Sequence, residues 1–207
     1  MNILSIESAS TVCGVALFIN NRLINMDEID KSRIHGKRLP VSIHKLLSTH
    51  ALEVNHLDAI AVSSGPGSYT GLRIGMSLAK GLATVAKIPI IPVPTLHAMN
   101  VGISQKRKSY WVLLHSHKDK VFAQRFFSGK AVSEIEFEIF RSNRYDILYG
   151  FNLQTVCSEL NYYNTPPSAR YVGEIAIKNF DEWSNVNIDA ITLNYITNFN
   201  IVNNQSL

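Results

Sequence analysis

The stretch Asp58-Ala-Ile-Ala-Val-Ser63, Ser64-Gly65-Pro66-Gly67-Ser68, Tyr69-Thr70-Gly71-Leu72-Arg73-Ile74-Gly75 decides the fold class. Its first part is a short apolar run of the kind that forms a strand buried on both faces. Its second part is rich in glycine, which permits positive φ and close backbone approach. Its third part opens a helix that the spacing predicts from about Thr70 to Ala86. Strand, tight turn and helix in that order are the unit of an α/β protein. Amides at the start of such a helix can bind an anion. The motif is neither a Walker A loop nor GxGxxG, so a ligand-free strand-to-helix turn explains it equally well.

The helix after the turn carries a second message. Gly67, Gly71, Gly75, Ala79 and Ala83 stand four apart, and residues four apart share one helix face. Two interior glycines cost about 1 kcal/mol each relative to alanine. A helix of another protein packed backbone to backbone would offset that cost. Burial of the strip inside the chain itself would do so too. Leu72, Ile74, Met76, Leu78, Leu82 and Val85 make the helix apolar most of the way round, which requires cover on more than one side.

Outward from this motif the α/β rhythm continues. Ile3 to Ile6, Val15 to Ile19 and Arg22 to Met26 read as three strands, the first two joined by the polar loop Ser8 to Gly14. Leu39, Ile43, Leu46, Leu47 and His50 recur at helical spacing, with Pro40 expected in the first turn. Ile88 to Val93 reads as a strand whose flanking and interior prolines favour an edge. Thr95 is a candidate N-cap for a helix through Ile103. Lys106-Arg107-Lys108 breaks the composition and divides the chain into an N-terminal lobe, residues 1–105, and a smaller C-terminal lobe, residues 106–207. In the second lobe, 110–114, 121–127, 131–140 and 170–172 read as strands, and 152–160 and 174–180 as helices. Ser128-Gly129-Lys130 reads as a hairpin turn, and the tail after Asn198 is polar.

The chain has 207 residues, 46% apolar and 17% charged, an ordinary balance for a folded protein. A chain this long buries roughly 70% of its unfolded surface without a metal or disulfide staple. Cys13 and Cys157 lack CxxC spacing and read as free thiols. No apolar run approaches a membrane span, and Met1 to Ser10 reads as a strand rather than a leader, so the expectation is a cytoplasmic protein without a membrane role.

Other chemistry is sparse. Glu7, Ser8 and Ser10 lie at the end of the first strand; with Gly65 and Gly67 they form a candidate, degenerate phosphate site. A polar turn bonded to its own backbone is the competing reading. His115, His117 and Asp119 alternate on a strand end, yet no HxxxH or HExxH pair is present, so no metal is expected. No GxSxG elbow marks a nucleophile, and no catalytic residue is assigned. The net charge is +4, with Lys106, Arg107, Lys108, Lys118, Lys120, Arg125 and Lys130 as a basic edge. That edge is either solvated or touches RNA phosphates.

Ser64 to Gly75 with Ala79-Lys80-Gly81-Leu82-Ala83 closely resembles the hallmark of the TsaB family. Ile3-Leu4-Ser5-Ile6-Glu7-Ser8-Ala9-Ser10 and Ile90-Ile91-Pro92-Val93-Pro94-Thr95-Leu96 resemble its opening strand and a later block. The resemblance implies an actin-like (ASKHA) α/β fold of two lobes, with mixed sheets flanked by helices. It implies a non-catalytic scaffold or activator in the complex that makes threonylcarbamoyladenosine (t6A) in tRNA. TsaD is the catalytic partner, bound through N-lobe helices, and TsaE joins as an ATPase. The same face serves a homodimer when TsaD is absent, tRNA is contacted indirectly, and ATP or ADP is a feature of the complex rather than of this chain. The interface residues so implied are Leu39, Ile43, Leu47, Gly71, Leu72, Gly75, Met76, Ala79, Leu82 and Ala83. The rival expectations are an independent actin-like kinase or transferase and a metallopeptidase-like enzyme.

Overall fold

A computed structural model describes residues 1–141, 145–154, 156, 161–194 and 196. The first sheet is ordered β3-β2-β1-β4-β5. Its strands are β1 (Ile3–Glu7), β2 (Val12–Ile19), β3 (Arg22–Asp30), β4 (Ala59–Gly65) and β5 (Ile90–Pro94). The first three form an antiparallel meander, and β4 and β5 join parallel. Every residue of β1 and β4 is buried, which explains their unbroken apolar sequence. β5 takes the edge, where Pro92 and Pro94 need not donate to a neighbouring strand.

Helices cover both faces. α1 (His35–Thr49) and α2 (Tyr69–Ala86) share a core with Leu4, Ile6, Val15 and Ile60 on one face. On the other, Ala98 of α3 (Thr95–Val101) and Val172 and Ala176 of α4 (Ala169–Lys178) pack with Ile3 and Phe18. The second sheet is ordered β11-β10-β6-β7-β8, with β9 also on β7. It is built from β6 (Ser109–His117), β7 (Lys120–Phe127), β8 (Lys130–Ala131), β9 (Glu136–Glu138), β10 (Leu148–Phe151) and β11 (Tyr162–Asn164). α5 (Phe180–Trp183) follows α4.

Four local expectations need correction. Residues 170–172 are helical: α4 runs unbroken from Ala169, started by the Ser168 hydroxyl, which accepts from Arg170 N–H at 3.2 Å. Its buried positions Ala169, Val172, Gly173 and Ala176 recur at helical spacing. α1 begins at His35, so Pro40 sits inside the helix rather than in its first turn. Thr95 is the first helical residue of α3, and Pro94 occupies the cap. The 131–140 run breaks into β8 and β9: residues 132–135 belong to neither strand, although Val132 N–H still donates to the Arg125 carbonyl at 2.9 Å and Arg125 N–H to Ser133 Oγ at 2.9 Å. The expected 152–160 helix falls mostly outside the described residues, as do Cys157, Tyr195 and the tail.

The division at Lys106 follows the two sheets only as far as β11. Beyond it, α4 and α5 return to the first sheet, and Asn185 pairs with Ile90 at the β5 edge. Residues 169–185 therefore complete the core of the first sheet. With α3 they cover its second face.

Candidate functional site

The glycine turn is locked to the loop after β1. Gly65 has φ 111°, a left-handed value suited to glycine. Ser68 N–H donates to the Ala9 carbonyl at 2.7 Å, and the Ser68 hydroxyl caps α2 by accepting from Gly71 N–H at 3.2 Å. Ser8 N–H donates to Ser63 Oγ at 3.2 Å. Gly71 and Gly75 lie against Ser8: a methyl group at Gly71 would overlap the Ser8 carbonyl oxygen, and one at Gly75 the Ser8 hydroxyl.

Glu7 ends β1 fully buried. Burial raises its carboxyl to about 8, and the Ala9 N–H, donating to Oε1 at 2.6 Å, only partly opposes this. Glu28 adds a smaller push in the same direction and is itself raised by burial. At neutral pH Glu7 is therefore mostly a neutral acid held inside the protein.

In front of this turn lies an open cleft of about 1020 Å³ between the loops of the first sheet and the β6–β7 hairpin. Ser10, Arg33, Gly67 and the first turn of α2 form one wall; His115, His117 and Lys120 form the other. Of the five candidate phosphate residues, Ser10 and Gly67 reach the cleft. Glu7, Ser8 and Gly65 do not line it: all three are buried behind it. The phosphate-site expectation is corrected accordingly, because the β1–β2 loop turns its polar atoms toward α2 and β4. The His115–Asp119 segment supplies two cleft histidines, and His115 Nε2 lies 3.0 Å from the Lys118 carbonyl. No three potential metal ligands gather among the described residues.

The expected interface also needs correction. Leu39, Ile43, Leu47, Gly71, Leu72, Gly75, Met76, Ala79 and Ala83 are all buried within this chain. Among the residues so named, Leu82 alone keeps partial exposure. The glycine–alanine strip is covered by Ser8 and by the sheet, so internal cover, not a foreign helix, offsets the glycines. A different face of α2 points outward. Ile74, Ser77, Leu78, Gly81 and Val85 share it, Val85 is 84% exposed, and space beside Gly81 is open. Val41 of α1 is 60% exposed. The sequence pattern holds this second face too, beside the strip of small side chains at four-residue spacing. Arg33, Phe122 and Phe137, which also line the cleft, had no local signal; Lys120 stood out only as part of the basic edge, and Tyr69 only as part of the glycine motif.

Residues 29–126 match the family model for TsaD, tRNA N6-adenosine threonylcarbamoyltransferase. The protein named tRNA threonylcarbamoyladenosine biosynthesis protein TsaB from Haemophilus influenzae is 36% identical over 99 residues, 48% of this chain and 42% of that protein. Its Escherichia coli namesake is 37% identical over 113 residues, 55% of this chain and 48% of that one. Aligned in this way, the chain spans about half the length of the curated relatives it matches. The crystal structure of YeaZ from Pseudomonas aeruginosa has the same fold: TM-score 0.79 at 18% identity, over 94% of this chain and 99% of that one. No helix among the described residues is long and apolar enough to cross a membrane. The architecture is the actin-like α/β fold of two sheets flanked by helices, and over about half of its length the sequence is similar to the TsaB proteins and to the TsaD family model.

Proposed function

We propose that this chain is a non-catalytic subunit for t6A synthesis in tRNA, docking a TsaD-type enzyme with the outward face of α1 and α2. One observation carries the docking face: an apolar row on α2 with a gap in it, Ile74, Leu78 and Val85 around the bare backbone of Gly81; Val41 of α1 is exposed as well. Ile74 and Leu78 lean partly on the chain's own core, whereas Val85 and the bare backbone of Gly81 are left open, and a gap in a helix face admits a partner helix at close range. The similarity to TsaB proteins and to the TsaD family model supports TsaD as the occupant. The same face serves a second copy of the chain when TsaD is absent, and TsaE joins the assembly as an ATPase. The buried, mostly neutral Glu7 supports a non-catalytic role, because a carboxyl turned inward reaches no substrate.

Gly81→Leu and Val85→Asp test this face without touching the core. Each is expected to melt within a few degrees of wild type and to weaken TsaD binding tenfold or more, read by co-purification and titration calorimetry. Gly81→Ala, at an open helical site, is expected to raise stability by about 0.5–1 kcal/mol. Unchanged TsaD affinity in folded Gly81→Leu and Val85→Asp would remove the reading. Turnover of ATP by the isolated chain would favour the kinase alternative instead.

A further inference from the structure

The cleft has one sign of charge. Its ionisable side chains include Arg33, His35, His115, His117 and Lys120, and none of its lining residues is Asp or Glu. The ion pairs among the described residues are Arg38–Asp27 and Arg170–Glu174, so Arg33 and Lys120 have no carboxylate partner there. Two cations lining one concave space, with no acid in its lining, focus a positive field into it. The N-terminus of α2, eighteen residues long, points its dipole and the first-turn residues Tyr69 and Thr70 into the same space.

Aromatic rings accompany the charges. Phe122 and Phe137 stack with centroids 4.9 Å apart, and both line the cleft. Lys120 Nζ lies 5.1 Å from the Phe137 centroid, and the His117 ring 5.8 Å from it. Tyr69, under the Arg73 guanidinium at 3.9 Å, stands on the opposite wall. Cations beside ring faces on both walls form the pattern that tracks a phosphodiester backbone while bases stack.

We propose that this cleft binds a short single-stranded stretch of RNA, its phosphates between Arg33 and Lys120 and a base on the Phe137 face. The choice of RNA over another polyanion rests on the t6A reading; the positive, ring-lined cleft does not. A nucleoside triphosphate with magnesium fits less well. Such a metal is held partly by carboxylates, and none faces the cleft.

The test uses the full chain and four probes in fluorescence or competition binding: a six-residue oligouridylate, an anticodon stem-loop RNA, magnesium-ATP and tripolyphosphate. Both RNAs are expected to bind more tightly than the other two. RNA affinity is expected to fall about tenfold between 50 and 200 mM salt, as two or three phosphate contacts require. Arg33→Glu and Lys120→Glu are each expected to weaken RNA tenfold or more at unchanged melting temperature. Phe137→Leu weakens RNA severalfold and leaves tripolyphosphate unaffected. Folded Arg33→Glu and Lys120→Glu with wild-type RNA affinity would overturn the proposal. So would magnesium-ATP or tripolyphosphate binding at least as tightly as RNA. Val85→Asp separates the two ideas: it is expected to lose TsaD and keep RNA. If wild type binds RNA but never TsaD, the docking reading fails alone; if it binds TsaD but no RNA, the cleft proposal fails alone.

Discussion

Gly75→Leu is expected to destabilise the fold severely, not to expose a lost partner contact. A Cβ at Gly75 would stand 3.1 Å from Ser8 Cβ and 3.6 Å from Val62, and would overlap the Ser8 hydroxyl. The remaining atoms of a leucine would have to enter the layer between α2 and β4, where Val62, Met76 and Ala79 are already buried. Gly71→Ala is the more economical form of the same experiment, since its single methyl meets the backbone carbonyl of Ser8, which cannot rotate away as a side chain can. Overpacking of this kind costs about 1–3 kcal/mol, and more where backbone must move. We expect about 3–5 kcal/mol for Gly75→Leu, in the range reserved for severe core defects, and a melting temperature lower by roughly 10 °C or more. The contrast is Gly81→Leu on the same helix, where nothing lies within 4 Å of the added Cβ and the fold is expected to survive. Thermal unfolding followed by circular dichroism distinguishes them. A Gly75→Leu protein as stable as wild type would mean that the β1–β2 loop does not hold this helix.

Stability is expected to fall as pH rises from about 4.5 to 8, with Glu7 the main cause. Its carboxyl is pushed up by burial from 4.5 to about 8 in the folded chain. Between these values the folded protein holds a proton that the unfolded chain has released. The favourable contribution is thus complete below about 4.5 and is lost progressively up to about 8, at about 1.4 kcal/mol per pH unit. Glu28, also raised by burial, acts in the same direction. Glu7→Gln keeps the shape and an oxygen for the Ala9 N–H but cannot ionise. It is expected to flatten the slope and to be the more stable protein at pH 8 by a few kcal/mol. Urea unfolding of both proteins at pH 5, 6.5 and 8 reads this directly. Parallel pH profiles would show that Glu7 does not carry the effect.

The two faces of α2 show where sequence reasoning stopped. Spacing correctly places Gly71, Gly75, Ala79 and Ala83 on one stripe. It says nothing about whether the stripe meets the chain's own loop or another protein, because both neighbours need the same small residues. Only the position of Ser8, brought over α2 by the β1–β2 turn, decides this. The outward row through Gly81 becomes visible once the inner row is accounted for. Helix α4 is a similar case. Its ten residues are too few for a decisive period, and burial against β1 and β2 makes Ala169–Lys178 one helix.

Local apolar runs and turn chemistry determined by themselves the strand and helix order through Val101, the edge place of β5 and the turn at Ser128-Gly129. Hydrophobic period and glycine geometry act over a few residues and need no distant partner. Tertiary structure alone decided which side of α2 is free, that burial raises the Glu7 carboxyl, and that Arg33 and Lys120 line one cleft whose lining holds no Asp or Glu. Burial, desolvation and the field between charges depend on what surrounds a group in space, and those surroundings come from segments nearly ninety residues apart in the chain.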